Sequence, residues 1–213
     1  MSRARLFVIS GPSGAGKGTI INEVMKRCEK LFFSVSATTR SPRPGEVDGR
    51  EYLFVSTEAF RDRIASGGML EWTEYQGMYY GTPSAPIEEH IRNGEDVLLD
   101  IEAEGMHNVK RLMPDAVTIF VYPPSFAVLE QRLRGRQTES EEKILGRLKK
   151  GRQESAHAGD YDYIVINDEL ETAVREVMTI MAAEKSEDAA DKESANAYRT
   201  ANRLHILKED ETL

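Results

Sequence analysis

A single cysteine, Cys28, stands in a chain of 213 residues. A lone thiol closes no internal disulfide, so the fold is expected to rest on a packed core and to suit a reducing cytoplasm. No run of about 18 apolar residues occurs, so no membrane-spanning helix is expected. Residues 1–10 lack the charged start, long apolar segment and small-residue cleavage site of a secretory signal. Basic side chains are also the minority, 28 against 36 acidic, and the resulting charge of −8 argues against a general nucleic-acid binder. Internal repeats and low-complexity tracts are absent as well. What is present, 40% hydrophobic and 30% charged residues, suits one α/β domain with a real core and a small insert or lid.

Apolar runs at 6–10, 32–36, 97–101, 117–122 and 163–166 read as strands buried on both faces. Helix-length stretches at 17–29, 103–113, 125–133, 140–157 and 169–184 separate them. That alternation predicts a parallel β-sheet wrapped by helices. Ser125 is a candidate helix cap, Thr138 with Glu141 has capping-box spacing, and Gly94 is placed to end a helix beginning near Ser84. Residues 39–94 break the rhythm with a Pro/Gly loop, a strand-like run at 51–55, a short helix near 57–66 and strand-like pieces around 69–75 and 78–82. They are expected to form a small mixed insert in a core made of residues 1–38 and 95–188. Residues 184–213 carry many charges and few apolar anchors beyond Leu204, Ile206 and Leu207, which predicts a frayed helical tail, with 189–213 as a charged C-terminal tail.

Directly after the first apolar run, residues 11–19 read Gly-Pro-Ser-Gly-Ala-Gly-Lys-Gly-Thr, and a helix-like stretch follows. Gly11, Gly14 and Gly16, with Pro12, Ser13 and Ala15 between them, allow a turn tight enough to aim successive N–H groups at a phosphate. The helix start adds its dipole, and Lys17 adds a full positive charge. Strand, Gly-x4-Gly-Lys and helix in this order point to a nucleoside triphosphate. One departure is Gly18, which stands where a serine or threonine usually holds Mg²⁺; Thr19 is left for that ion, directly or through water.

Two further segments carry positive charge. Residues 132–152 hold eight basic and three acidic side chains, a pattern that fits a solvated helix face or, beside a phosphate loop, an anion clamp closing as a lid. In the run from Thr38 to Phe54, Arg40 and Arg43 sit three apart on a proline-stiffened loop that leads to Tyr52. The loop is either an ordinary turn with solvated arginines or a phosphate holder of fixed geometry.

Together, the phosphate loop and the Arg40-to-Phe54 run resemble the guanylate kinase family, over roughly residues 5–184. The resemblance implies the reaction ATP + GMP ⇌ ADP + GDP with Mg²⁺. Arg40, Arg43, Tyr52 and Tyr80 match the residues that hold the GMP phosphate; Ser36, Glu71 and Thr82 match those that read guanine, with Asp100 serving either the base or the magnesium network. Arg132, Arg136 and Arg147 match lid arginines, and Asn167 lies where the family approaches adenine. Chemically, Glu71 is expected to accept from guanine N1–H and N2–H₂, while Ser36 and Thr82 donate to O6. Glu104 stands where many members have glutamine. Alternatives are another nucleoside monophosphate kinase such as adenylate kinase, or a guanylate-kinase-like binding module that performs no chemistry. The retained Lys17 and Glu71 argue against both. No nucleic acid or membrane partner is implied, and oligomeric state and dGMP use stay open.

Overall fold

The computed structural model of the chain describes residues 4–135 and 140–203. In chain order these form β1 (Leu6–Ser10), α1 (Lys17–Arg27), β2 (Leu31–Phe33), β3 (Ala37–Thr38), β4 (Leu53–Phe54) and α2 (Thr57–Ala65). Next come β5 (Met69–Tyr75), β6 (Met78–Pro83), α3 (Ser84–Arg92), β7 (Asp96–Asp100) and α4 (Ala103–Leu112). The last third holds β8 (Val117–Tyr122), α5 (Phe126–Arg134), α6 (Glu141–Ser155), β9 (Tyr163–Ile166), α7 (Leu170–Lys185) and α8 (Ala189–Asn196). The described residues gather into two compact units, one of residues 7–29 and 117–203, the other of residues 4–6 and 30–116. No helix among the described residues is long and apolar enough to cross a membrane.

In the first unit β8 lies parallel to β1 on one side and to β9 on the other, with Ile119 opposite both Ile9 and Tyr163. Every residue of β1 and β8 is buried. That is why both read as unbroken apolar runs without alternation. Ile20, Ile21 and Val24 of α1 and Val174, Val177 and Ile180 of α7 are buried, each contributing about 1.5–3 kcal/mol by burial. Helices α5 and α6 share a cluster of Leu129, Leu133, Ile144 and Leu148. Ser125 caps α5 by accepting from Val128 N–H at 3.2 Å. Thr138 lies outside the described residues, and Ser140 occupies the N-cap position of α6, so Glu141 opens that helix instead of closing a capping box. Part of the basic surplus serves these helices alone: Arg134 pairs with Glu130 at 2.8 Å and with Glu141 at 2.5 and 2.8 Å.

The second unit pairs β2 with β7 in parallel and builds a separate four-stranded sheet in the order β4-β3-β6-β5. Strands β5 and β6 are antiparallel and turn through Gln76 and Gly77, both at positive φ (52° and 75°), the backbone that a two-residue hairpin needs. Ser56 caps α2 by accepting from Ala59 N–H at 3.1 Å. Gly94, at φ 79°, ends the α3 turn by donating to Ile91 C=O. Strand β2 starts at Leu31 and stops at Phe33, short of the expected 32–36, because after Ser34 N–H pairs with Leu98 C=O the chain leaves to form β3.

The expectation of a frayed tail is corrected over residues 189–203. Helix α8 buries Ala195, and the chain then adds an antiparallel bridge beside β9, Tyr163 to Arg199. Ile164 N–H donates to Tyr198 C=O at 2.9 Å and Thr200 N–H to Asp162 C=O at 3.1 Å. Arg203 grips the buried carboxylate of Glu176 at 2.7 and 2.9 Å. Polar anchors replace the missing apolar ones. A chain ending at Asp188 is therefore expected to lose stability, because it uncovers the β9 edge and strands Glu176 as a buried charge, a defect costing about 3–5 kcal/mol. At about 2–4 °C per kcal/mol, thermal denaturation should show a drop on the order of 10 °C; a melting temperature within two or three degrees (roughly 1 kcal/mol) of the full chain would show the segment to be ornamental.

Candidate functional site

One group of candidate residues sits on the loop between β1 and α1. Gly11, Gly14 and Gly16 take φ values of 143°, 101° and 92°, which L side chains rarely adopt. Space forbids them too: a Cβ on Gly11 would lie 2.0 Å from Val121 C=O, and one on Gly16 would lie 2.3 Å from Asn167 Nδ2. Ala15 N–H closes the turn on Pro12 C=O at 3.0 Å, with Ser13 and Gly14 between them. Gly16 caps α1 without a side chain, and no acid sits in the first turn. The helix start thus offers N–H groups and positive dipole to an anion. Lys17 Nζ donates to Gly11 C=O at 2.5 Å, which folds the charge back over the loop. Gly18 and Thr19 are exposed on the same turn, and a Cβ on Gly18 would meet nothing within 4 Å. Glycine at 18 is therefore a chemical difference and not a steric requirement.

Two side chains of the same unit bond to this loop, and a third is held on one of them. Arg147, on α6, donates to Ser13 Oγ at 3.5 Å, the outer limit of a hydrogen bond. Arg132, near the end of α5, donates to the C=O of Asn167 at 2.9 Å. Asn167 follows β9, is 6% exposed, and donates from Nδ2 to Ala15 C=O at 2.7 Å. Arg136 lies outside the described residues.

A second group of candidate residues lies in the other unit and has a phosphate-like end and a base-like end. At the first, Arg40 makes a bidentate pair with Glu46 at 2.8 and 3.0 Å, and its guanidinium lies 5.3 Å from the Tyr52 ring centre and 5.6 Å from that of Phe54. Tyr52 and Tyr80 meet edge to face at 6.1 Å. Glu46 also accepts from Arg43 N–H at 2.7 Å. The Arg40 side chain and the Arg43 amide hold its carboxyl at about 2, far below the ordinary carboxylate value. Glu46 is therefore ionised at neutral pH, where it holds the Arg40 guanidinium. Arg43 itself is exposed. Burial first, then the charge of Asp100 at the end of β7, push the Tyr52 phenol up.

At the base-like end, Glu71 of β5 stands opposite Thr82 of β6. Its carboxylate is buried, and Oε1 accepts from Thr82 Oγ1 at 2.5 Å. Oε2 runs so close to Gly105 on α4 that a Cβ there would sit 2.8 Å away. Burial raises the Glu71 carboxyl above its ordinary value, and the neighbouring charge of Glu104 raises it further against the opposing hydrogen bond from Thr82. Ser36 precedes β3 and is held by Leu53 N–H donating to its C=O at 2.9 Å. A threonine hydroxyl has one proton, and in this structure that of Thr82 is directed at Glu71. Glu46 and Gly105 were absent from the sequence-derived site. Glu46 had a signal, an acid three residues after Arg43 in a Pro/Gly turn; Gly105 had none, since its role depends on packing against β5.

A glycine loop between parallel strand and helix, with lysine and arginine gathered on it, defines a P-loop α/β protein that handles nucleoside phosphates. The sequence profile of the family "Guanylate kinase" matches residues 3–184. A guanylate kinase of Carboxydothermus hydrogenoformans is 46% identical over 185 residues, 87% of this chain and 91% of the relative. One from Thermus thermophilus is 49% identical over 183 residues, 86% of this chain and 83% of the relative. Among solved structures, the guanylate kinase from Anaplasma phagocytophilum superposes with a TM-score of 0.72 at 30% identity, covering 87% of this chain and 88% of that one. The chain belongs to the guanylate kinase family.

Proposed function

We propose that this protein moves the γ-phosphoryl group of ATP onto the phosphate of GMP, yielding ADP and GDP in the cytoplasm. A phosphate oxygen of GMP attacks the γ-phosphorus in line, the bond to the β,γ-bridging oxygen breaks, and no covalent enzyme intermediate forms. The observation that carries this reading is the buried Glu71 carboxylate, fixed by Thr82 in the same unit as the Arg40, Tyr52 and Tyr80 cluster. A carboxylate is the one side chain that matches the paired donors N1–H and N2–H₂ of guanine. The insert of residues 39–94 is assigned to GMP, the segment of about 132–152 to a lid over ATP, and Ser36 and Asp100 to the rim of the guanine pocket. Lys17 and the loop amides hold the ATP phosphates, while Arg132 and Arg147 neutralise charge that develops during transfer. Mg²⁺ would be held beside the ATP phosphates by Thr19, directly or through water, and would supply positive charge against theirs. The hydroxyl of Thr19, a hard oxygen donor exposed on the first turn of α1, fits an ion that takes one or two protein oxygens and otherwise phosphate and water.

A coupled assay with ATP and each of GMP, AMP, UMP and CMP tests the assignment. The kcat/KM for GMP is expected to exceed that for AMP by roughly 10³-fold or more, since adenine turns a lone pair toward the buried carboxylate. A preference for AMP would transfer the protein to the adenylate kinase reading, and no transfer to any acceptor would transfer it to the binding-module reading.

A further inference from the structure

We infer that Asn167 is a positioning residue whose carboxamide holds the phosphate loop. The inference refines the nucleotide site proposed above and concerns only its ATP half. Three bonds converge on this one residue. Its carboxamide Nδ2 donates to Ala15 C=O at 2.7 Å. Its own C=O accepts from Arg132 Nη2 at 2.9 Å. Its N–H donates to Tyr122 C=O at 2.7 Å, extending the β8–β9 ladder by one residue.

Each bond fixes something that phosphate binding needs. Tying down Ala15 C=O fixes the peptide that leads into Gly16 and Lys17, and so the orientation of the N–H groups that follow. The carboxamide also lies against Gly16, where a Cβ would come within 2.3 Å, so amide and glycine occupy complementary space. Arg132, anchored on the same residue, is kept in a fixed position relative to the loop. The residue is 6% exposed, and one of its two Nδ2 protons is spent on Ala15, so the carboxamide is packed against the loop it holds.

The test separates the triphosphate from the base. Asn167→Ala is expected to weaken binding of MgATP and of inorganic tripolyphosphate by the same factor, about 10- to 100-fold, by titration calorimetry on chain shown to be folded by its melting curve. GMP affinity should stay within about twofold, a change of roughly 0.4 kcal/mol. Loss of ATP affinity with tripolyphosphate unchanged would overturn the inference in favour of adenine reading, and no change in either would reduce Asn167 to a structural residue. Because neither ligand involves the acceptor, the result stands apart from whether GMP is the substrate. Should Asn167→Ala not fold, the wild-type protein answers by NMR. A nuclear Overhauser contact from the Asn167 carboxamide protons to Ala15 and Gly16 is expected to persist at saturating ATP, and its replacement by contacts to adenine protons would sink the idea.

Discussion

Replacing Lys17 with alanine is expected to lower kcat for phosphoryl transfer by about 10²–10³-fold, the scale seen when one preorganised charge or donor is taken from a transition state. Stability should hardly move. The side chain contributes a single hydrogen bond, to Gly11 C=O at 2.5 Å, whose loss costs on the order of 1 kcal/mol and so about 2–4 °C of melting temperature. The glycines of the loop keep their own constraints, Gly11 against Val121 and Gly16 against Asn167, so the cradle survives without the lysine. Steady-state kinetics with ATP and GMP, run beside thermal denaturation, check both halves. Near-native turnover would remove Lys17 from the chemistry and with it the mechanism proposed here; a collapse in stability would mean that the lysine's return to Gly11 holds the loop together.

Strands β1, β8 and β9 were legible to the residue because each is buried on both faces, and burial of that kind leaves an apolar run with sharp ends. Strand β4 falls inside the expected run at 51–55, whereas β3, of two residues, was not legible. It exists through partners distant in sequence, such as Tyr80 opposite Thr38, and no local pattern encodes such a pairing. Composition misjudged the segment after Asp188 for a related reason. It is held by Thr200, whose hydroxyl donates to Tyr161 C=O at 2.6 Å, and by the Arg203 to Glu176 pair. A polar anchor looks, in sequence, like a solvated residue.

The site divides in the same way. The phosphate loop could be read because its chemistry is local: tight turn, helix start and lysine lie within nine residues. Which groups Asn167 and Thr82 bond to could not, since Asn167 reaches Ala15 across 152 positions and Thr82 meets Glu71 through the register of a hairpin. Residue identity was legible at these positions, while the direction of the hydrogen bond was not.

That direction matters most at Glu71. Glu71→Gln is expected to reduce kcat/KM for GMP by roughly 10²–10³-fold, because the amide keeps one acceptor for guanine and turns a donor against the other N–H. The GMP-to-AMP ratio should narrow as the buried charge that penalises adenine disappears. The same change should stabilise the empty protein. Burial, with help from Glu104, holds the Glu71 carboxyl above its ordinary value of 4.5. An acid whose folded value is raised favours the native state in its protonated form. Its contribution is complete below the unfolded value and is lost as pH rises through the folded one. At neutral pH wild-type Glu71 therefore works against the fold, and glutamine, which mimics the neutral acid, should raise the melting temperature by about 2–4 °C for each kcal/mol relieved. Kinetics carry the matching sign: as pH falls through the raised value, wild-type KM for GMP should climb while that of Glu71→Gln stays flat. Measuring kcat/KM for GMP and AMP, with melting curves above and below pH 4.5, decides the matter. An unchanged nucleotide ratio would show that Glu71 does not read the base, and a lower melting temperature in the variant at neutral pH would show that the buried carboxylate supports the fold instead of straining it.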